Sequence, residues 1–351
     1  MTPTDLLPLW HTYKGLSKYV DFLRQENIRD WAPWCFIPRI AWEAALRDCS
    51  QRTNAQIDIP PVDFFAAVGT WRYSQGIYKF DPDVYCSLIK SGFSGNIPCE
   101  VLTRLPEWCV YLETPDVKFL DSQIYGCFVY LDDDTETRNQ ELRITILDEQ
   151  YDIHNNPLNG ILSLSFPLGD WSVEASYAKF IERVSIAINN DNQSIALARF
   201  KTCRPAVEEF VKKILALTLY LCSEDPEIID RNDPGYKPGY PRPKKVKGGW
   251  RCFPAQKTRI FDVGQKIGQA LRQVQEEMAS APTGRTVADH LRRGHWHGYW
   301  IGPREASQRG KRKFIYKWLW PTFVHGRKVA DETPNEAVKK STANTADTSV
   351  P

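Results

Sequence analysis

The sequence predicts an α+β protein, with helices first, then a central antiparallel sheet, further helices, and a basic α+β module near the C-terminal end. Three observations support this prediction. Apolar residues recur at helical spacing near the N-terminus, short segments rich in β-branched and aromatic residues follow in the middle, and the net charge changes sign near residue 231. With 351 residues, of which 42% are hydrophobic, the chain can bury a large core and is expected to form two domains or lobes.

The first part of the chain is predicted to be helical. Residues 4–52 carry apolar side chains at helical spacing, and prolines break the pattern before a second helix over residues 40–52. A third helix is expected over residues 61–73, with a proline in its first turn. A short fourth helix is expected after Asp81, whose carboxylate precedes a proline as a helix N-cap does.

The middle of the chain is predicted to form an antiparallel meander, in which each strand pairs with the next. Its segments are short, apolar and separated by polar or turn-forming residues. The four predicted strands span residues 108–112, 123–131, 141–147 and 161–166. The acidic run at residues 132–134 is interpreted as a solvated turn. Two helices are expected next, over residues 172–189 and 204–222, the second with a proline in its first turn.

Charge is distributed unequally along the chain. Residues 231–328 hold 22 lysines and arginines against 6 acidic residues, a net charge of +16. Residues 1–230 hold 21 basic against 33 acidic residues, a net charge of −12. A basic region of this kind attracts polyanions, of which RNA and DNA are the usual ones, or it docks on the acidic part of its own chain.

Composition suggests where the domain boundaries lie. Residues 231–256 are rich in proline, glycine and basic residues, which indicates a linker or an extended basic loop. The predicted parts are an acidic lobe of helices and antiparallel sheet (1–230), this linker (231–256), a basic aromatic module (257–328) and a disordered tail (329–351). The module is expected to hold a strand, a helix and two further strands, over residues 259–263, 264–278, 295–301 and 313–320.

The most informative stretch lies in the basic module. Residues 292–302 read RRGHWHGYWIG, a combination that neither a plain core strand nor a plain loop requires. Aromatic rows on strands flanked by lysine and arginine can stack bases while the cations hold phosphates. The same rings can instead form core against the helix at 264–278. The candidate partner- or RNA-binding residues are Arg292, Arg293, His295, Trp296, His297, Tyr299, Trp300, Lys313 and Lys317.

The two histidines of this stretch admit three interpretations. As metal ligands they lack a visible set of partners, so no metal site is predicted. As acid and base, His295 and His297 would cleave RNA, because imidazole titrates near neutral pH and Arg292 or Arg293 would stabilise charge on a phosphate. As hydrogen-bonding or stacking groups they would serve a binding surface, or they would be core histidines whose hydrogen bonds are satisfied inside the protein. Binding is the preferred interpretation, so no catalytic residue is assigned, and an RNase is the alternative.

Several classes of protein are disfavoured by what the sequence lacks. It holds no phosphate-binding glycine loop, no serine-hydrolase elbow and no zinc-protease motif, so no cofactor and no enzyme class is predicted. Its apolar runs are too short to cross a membrane, and no secretory signal is visible. Nine scattered cysteines without a C-x-x-C pair indicate reduced thiols, which predicts a cytoplasmic location.

Four blocks of the chain resemble a known family. They are GTWR at 69–72 with GIY at 76–78 and Asp81, LPEWCVY at 105–111, a weaker LC at 221–222 with PEI at 226–228, and RRGHWHGYW at 292–300 followed by a basic strand and Pro321-x-Phe323-Val324. In this order they resemble the second type V-A anti-CRISPR family (AcrVA-two). The N-terminal helical stretch and the tail do not share the resemblance.

The resemblance implies a protein of a phage or plasmid that inhibits type V-A CRISPR immunity in the bacterial cytoplasm. It implies that the partner is the type V-A nuclease polypeptide, recognised as a nascent chain, and that the message for this nuclease is lost. The basic module is compatible with contact to RNA or the ribosome, since both are polyanions. A DNA mimic is a third class, and the net charge of +16 over residues 231–328 argues against it, because a mimic must be acidic where it binds.

Overall fold

The protein has an α+β fold, as the sequence predicts. Its large sheet is mixed rather than wholly antiparallel, and helices cover both faces of it. The computed structural model describes residues 2–10, 15–26, 31–53, 62–91, 97–119, 122–134, 139–148, 161–190, 194–247, 249–280, 290–292, 294–303 and 312–324. The predicted disordered tail at 329–351 and Arg293 lie outside these residues.

The helices lie where the apolar periodicity places them, with one clear difference. The helix predicted over 204–222 begins at Ser194, so Pro205 lies inside it rather than in its first turn. The Asp81 side chain accepts a hydrogen bond from the Asp83 amide at 3.0 Å, as expected for a capping residue. The helices are α1 (Leu7–Trp10), α2 (Leu16–Glu26), α3 (Arg39–Thr53), α4 (Val62–Trp71), α5 (Pro82–Ser91), α6 (Val173–Asn190), α7 (Ser194–Leu221) and α8 (Gln265–Ser280).

The described strands form one large sheet and three two-stranded ribbons. The strands of the large sheet are β1 (Gly76–Phe80), β2 (Cys109–Glu113), β3 (Lys118–Phe119), β4 (Ser122–Asp134), β5 (Asn139–Asp148), β6 (Ile161–Leu168), β7 (Ile228–Asp230) and β10 (Arg259–Val263). The ribbon strands are β8 (Lys244–Val246), β9 (Gly249–Arg251), β11 (His290–Arg292), β12 (His295–Ile301), β13 (Lys313–Leu319) and β14 (Thr322–Val324).

The predicted meander is confirmed as one half of the large sheet. The sheet order is β6-β5-β4-β2-β1-β10-β7, and β2, β4, β5 and β6 pair in antiparallel fashion in chain order. The other half contains parallel pairs, because β1 pairs in parallel with both β2 and β10. No strand is predicted at β1, because its five residues show no alternation of apolar and polar side chains.

Strand β10 lies inside this sheet, although the sequence analysis assigned it to a separate module. It pairs with β1 from Gly76 opposite Arg259 to Phe80 opposite Val263, and with β7 on its other side. Residues from both sides of the predicted boundary at 231–256 therefore share one sheet. The division into separately folding parts stays a prediction.

Each face of the sheet carries a hydrophobic core of its own. Successive residues of a strand point to opposite faces, so Val110 and Leu112 of β2 join one core and Tyr111 joins the other. The core around Tyr111 holds the N-terminal helices α1 to α4, and the core around Val110 holds α5 to α7. Burial on both faces explains why the central strands are apolar along their length.

The segment at 231–256, predicted as a linker or extended basic loop, is packed along the body of the protein. The ring of Tyr240 stacks on that of Trp108 with centroids 5.5 Å apart, and its hydroxyl donates to the Leu105 carbonyl at 3.3 Å. Farther along, the Gln75 side-chain amide donates to the carbonyl of Ala255 at 2.7 Å. We refer to residues 231–256 as the strap.

The interpretation of residues 132–134 as a solvated turn is wrong for Asp132 and Asp133, which are buried. The Asp132 carboxylate accepts hydrogen bonds from the Arg39 amide at 2.8 Å and from Arg143 at 3.1 Å. The Asp133 carboxylate accepts one from the Ala32 amide at 2.8 Å. These acidic groups satisfy backbone donors at and before the start of α3, which would otherwise be left unpaired as this region packs.

Candidate functional site

Most of the residues selected from the sequence lie on one β-hairpin. Strand β12 pairs with β13 from His295 opposite Leu319 to Ile301 opposite Lys313, which confirms both predicted strands. Because side chains alternate, Trp296 and Trp300 lie on one face of β12. The side chains of His295, His297, Tyr299 and Ile301 lie on the other face.

The face that carries Trp296 is part of the protein core. The ring of Trp296 lies parallel to that of buried Tyr316, with centroids 4.6 Å apart and 9° between the planes. Buried Trp318 meets Tyr220 of α7 edge-on at 6.3 Å. Aromatic pairs in these geometries stabilise the packing beyond the area that they bury. The interpretation as core therefore holds for this row, but the ring that packs against Trp318 is Tyr220 of α7 and does not come from the helix at 264–278 that the interpretation named.

Two glycines of the motif are required by this packing. A Cβ atom on Gly298 would lie 2.5 Å from the ring of Phe314, and one on Gly294 would lie 2.6 Å from the ring of Trp318. Any larger residue would push these rings out of place. The glycines therefore allow the aromatic row of β13 to lie flat under β12.

The outer face and the end of the hairpin expose large apolar side chains to solvent. Of the nine exposed large hydrophobic residues that the described part of the chain contains, five lie here. An exposed apolar cluster of this kind marks an interaction surface. We refer to it as the hairpin patch, and its members are Tyr299, Trp300, Ile301, Leu319 and Trp320.

The two lysines of the hairpin lie beside acidic residues that follow α7. The Lys313 ammonium contacts the Glu224 carboxylate at 3.1 Å, and Lys317 lies 3.8 Å from Asp225. The same loop also contacts the backbone of β13, because the Glu224 amide donates a hydrogen bond to the carbonyl of Tyr316 at 2.9 Å. The predicted lysine contacts with RNA stay predictions, and each would compete with a carboxylate.

Of the two histidines and two arginines of the motif, the structure describes His295, His297 and Arg292. His297 is exposed, with its ring 5.5 Å from that of Tyr299, and His295 on the same face is partly buried. The backbone of Arg292 pairs with that of Thr322 in the β11–β14 ribbon. Arg293 lies outside the described residues, so the predicted contact between these arginines and a phosphate stays a prediction.

A groove beside Trp300 was not foreseen from the sequence. Its volume is about 420 Å³, and it is lined by Pro98, Glu100, Gly169, Asp170, Trp171, Ser172 and Trp300. Two tryptophan rings and two carboxylates suit a cationic side chain, which binds both to acids and to ring faces. These residues come from distant parts of the chain, so no local pattern could indicate the groove.

A larger cleft lies between the strap, the turn after α4 and the residues just before β10. Its volume is about 850 Å³, and we refer to it as the strap cleft. It is lined by Tyr73, Ser74, Tyr236, Pro241, Arg242, Lys244, Phe253, Pro254, Ala255, Gln256, Lys257 and Arg259. The sequence analysis recognised the basic composition of this stretch but interpreted it as a linker.

Next to this cleft lies a buried carboxyl group, that of Glu107. Burial raises its pKa to about 8, and the neighbouring Tyr78 and Ser74 hydroxyls and the Arg259 guanidinium offset only part of that effect. The carboxyl group of Glu107 packs against Gly76, where a Cβ atom would lie 2.1 Å from the carboxyl oxygen. Glu107 therefore holds a proton at neutral pH.

Two sequence blocks that carry the family resemblance meet at this point in the sheet. The Trp71 indole donates to the Gly76 carbonyl at 2.8 Å, and Ile77 lies opposite Tyr111 in the parallel pairing of β1 with β2. The blocks at 69–78 and 105–111 thus build the centre of the sheet. Their residues position the strap cleft rather than the hairpin patch.

Neither a metal site nor a membrane span is found among the described residues. No group of three or more His, Cys, Asp or Glu side chains is placed there to hold a metal ion. Among the same residues, no helix has the length and apolar character needed to span a membrane.

Comparison with known proteins agrees with the blocks in the sequence. A solved crystal structure of AcrVA2 has a TM-score of 0.60 and 18% identity, and the match covers 93% of this chain and 100% of that chain, which shows a shared fold. Protein FinQ of Escherichia coli is 24% identical over 228 residues. That match spans 64% of this chain and 65% of FinQ, just under two thirds of its length. The profile of the AcrVA2-like family, described as the anti-CRISPR type V subtype A2 family, matches residues 78–326, and the chain belongs to this family.

Proposed function

We propose that this protein inhibits type V-A CRISPR immunity by binding the nuclease polypeptide at the hairpin patch. Membership of an anti-CRISPR family supports the biological effect. The observation that carries the site is the concentration of exposed apolar side chains on one hairpin, including Tyr299, Trp300 and Ile301. Aromatic side chains of this kind form the energetic centres of protein interfaces.

The edges of the hairpin favour an extended polypeptide. The outer edge of β13 is occupied, because its carbonyls at Phe314 and Tyr316 accept hydrogen bonds from Arg104 at 3.0 Å and from the Glu224 amide at 2.9 Å. Strand β12 pairs with no strand other than β13 among the described residues. An incoming segment can therefore add beside β12 as a further strand, with its side chains on the patch.

The groove beside Trp300 would give such a segment a second contact. Its carboxylates at Glu100 and Asp170 and its indoles at Trp171 and Trp300 would hold a lysine or arginine of the bound chain. This cation would compete with Arg104, which lies 3.5 Å from Glu100, and with Lys179, which lies 4.7 Å from the ring centroid of Trp171. A segment in which apolar and cationic residues alternate would then contact the hairpin patch and the groove at the same time.

We further propose that the polypeptide is met as a nascent chain and that loss of the nuclease mRNA follows. Contact with RNA or the ribosome would come from the region of residues 231–328, whose net charge is +16. This course of events follows from the resemblance to the family. The protein itself would act as a binder in the bacterial cytoplasm on behalf of a phage or plasmid.

A plasmid-protection assay tests the contact. Tyr299→Asp with Ile301→Asp places two charges on the patch, and both positions are exposed, so the fold should be kept. The matched control is Phe22→Asp with Ile186→Asp, two exposed apolar residues on α2 and α6. We expect the patch variant to lose both co-purification of the nuclease and protection of the plasmid, and the control to keep both. Full protection by a folded patch variant would contradict the proposal.

Messenger levels in the same cells test the later steps. If the polypeptide is recognised as it is made, nuclease mRNA should fall with the wild-type protein and the control but not with the patch variant. The protein should also sediment with ribosomes that carry the nuclease message. Normal mRNA levels together with full protection would place inhibition after translation.

A further inference from the structure

We infer that the strap cleft binds a single strand of RNA through its phosphates and at least one base. The inference deepens the proposed function, and it rests on that proposal in taking RNA as the partner. It differs from the expectation drawn from the sequence, which placed RNA contacts on the hairpin.

The first argument is that basic side chains at the cleft are available to bind phosphates. Arg242, Lys244 and Lys257 are exposed at the cleft, and none of them forms an ion pair with another described residue. The lining contains no carboxylate. On the hairpin, by contrast, Lys313 contacts Glu224 at 3.1 Å, so a phosphate would have to displace that carboxylate. A polyanion is therefore attracted more strongly to the cleft.

The second argument is an ordered aromatic wall. The guanidinium of Arg259 lies 3.7 Å from the ring centroid of Tyr236 and is itself held by Asp230 at 2.6 Å. The hydrogen bond that Arg259 donates to the Asp230 carboxylate raises the pKa of the Arg259 guanidinium. Tyr236 also stacks with buried Phe261, with centroids 6.2 Å apart. The ring is thus fixed by Arg259, which lines the cleft, and by Phe261, which is buried.

The third argument is an exposed ring beside these cations. Phe253 is 42% exposed and lines the cleft, although most of the described phenylalanine side chains are buried. The Arg251 guanidinium lies 5.3 Å from the centroid of its ring, which leaves the exposed part of the ring for a base. An exposed ring between free cations is the arrangement with which proteins stack bases while holding the backbone of a single strand. A base on Phe253 would bring its flanking phosphates towards Arg242, Lys244 and Lys257.

Size and chemistry favour a single strand over the other polyanions. A cleft of about 850 Å³ has room for a few nucleotides. A duplex hides the faces of its bases, so none of them could stack on the exposed part of Phe253. An acidic polypeptide would satisfy the cations but offers no base to stack on the ring.

Binding of labelled oligouridylate to the full-length protein, measured by fluorescence anisotropy over a range of salt, tests the inference. The cleft variant carries Arg242→Ala, Lys244→Ala and Lys257→Ala. Its control, Lys18→Ala with Lys118→Ala and Lys212→Ala, removes the same charge at exposed positions away from the cleft. A third variant, Phe253→Ala, removes the ring alone. Duplex RNA, single-stranded DNA and polyglutamate are the comparison ligands.

We expect the cleft variant to bind oligouridylate at least tenfold more weakly and to lower the salt slope by about 2, since each phosphate contact on a single strand contributes about 0.7. Phe253→Ala should weaken binding at least fivefold without changing that slope. Binding to duplex RNA and to polyglutamate should be weaker than to the single strand. Equal affinity for single-stranded DNA would extend the ligand class to any single strand and overturn the restriction to RNA.

Three results would overturn the inference as a whole. The first is a control variant that binds as weakly as the cleft variant, which would mean that charge acts diffusely over the surface. The second is polyglutamate binding as tight as that of RNA, with Phe253→Ala unchanged, which would mean an acidic polypeptide site. The third is no binding of oligouridylate. None of these would affect the hairpin patch, whose substitutions test the proposed function separately by nuclease co-purification.

Discussion

Glu107 shows how far an environment can move a single side chain from its usual behaviour. The folded protein holds this carboxyl at a pKa of about 8, against an ordinary value of 4.5, because it is buried. Between these values the folded state keeps a proton that the unfolded state releases. The free energy of unfolding must therefore fall as the pH rises through this window.

Replacing Glu107 by glutamine should remove that fall, because an amide cannot ionise. The decline in the wild type should reach about 3 kcal/mol by about pH 7. Urea unfolding from about pH 5 to about pH 8 measures it. The exposed Glu174→Gln on α6 serves as the control and should keep the wild-type pH dependence. An unchanged pH dependence in Glu107→Gln would show that the group does not titrate in this window.

The two motif histidines separate the binder from the RNase. An acid–base enzyme needs both His295 and His297, and removing either should lower cleavage by a factor of about 10² to 10⁴. In a binder, each contributes about 1 kcal/mol. We expect the purified protein not to cleave isolated RNA and His297→Gln to retain most inhibition in cells. Metal-independent cleavage that is lost in both His295→Gln and His297→Gln would establish the RNase instead.

The β12–β13 hairpin combines a structural face with an exposed one. Its strands, their pairing and the shared faces of their side chains were predictable, because the aromatic residues alternate regularly along the chain. Which face is buried was not predictable, because both carry aromatic rings. The answer depends on Tyr220 of α7 and on the loop at Glu224, which lie far away in the sequence.

The two tryptophans of β12 should therefore respond differently to truncation. Trp296→Ala removes a ring stacked on Tyr316 and should cost about 3 kcal/mol of unfolding free energy. Trp300 is 46% exposed and meets Phe314 only at its edge, so Trp300→Ala should cost about 1 kcal/mol. Urea denaturation of both variants measures the difference. Both rings lie on the same face of β12, so equal costs would mean that this face is equally buried at its two ends.

The large sheet joins parts of the chain that composition alone separates. β10 lies between β1 and β7, so the sheet is completed by residues beyond the strap. The charge asymmetry between 1–230 and 231–328 was read as a division into two parts. Charge reports the surface, whereas strand pairing depends on the core, so the two need not follow the same boundary.

A fragment of residues 1–230 tests this arrangement. Without β10, strand β1 loses the partner with which it pairs along its length, and Tyr78 loses its stacking contact with Phe261 at 4.9 Å. We expect the fragment to lack a cooperative thermal transition and to expose apolar surface to a hydrophobic dye. A sharp transition in the isolated fragment would instead support two separately folding lobes.

Local patterns in the chain were enough to establish the α+β class, the meander, most helices and the family, because periodicity, turn residues and motifs are properties of neighbouring residues. They could not show that β1 pairs in parallel with the strands on both sides of it, nor which basic residues lack an ion pair among the described residues. Those features arise when distant segments meet: Glu224 beside Lys313, Asp230 beside Arg259, and the strap against the turn after α4. Ion pairing, burial and cleft shape depend on distances in space, and the order of residues along the chain does not contain them.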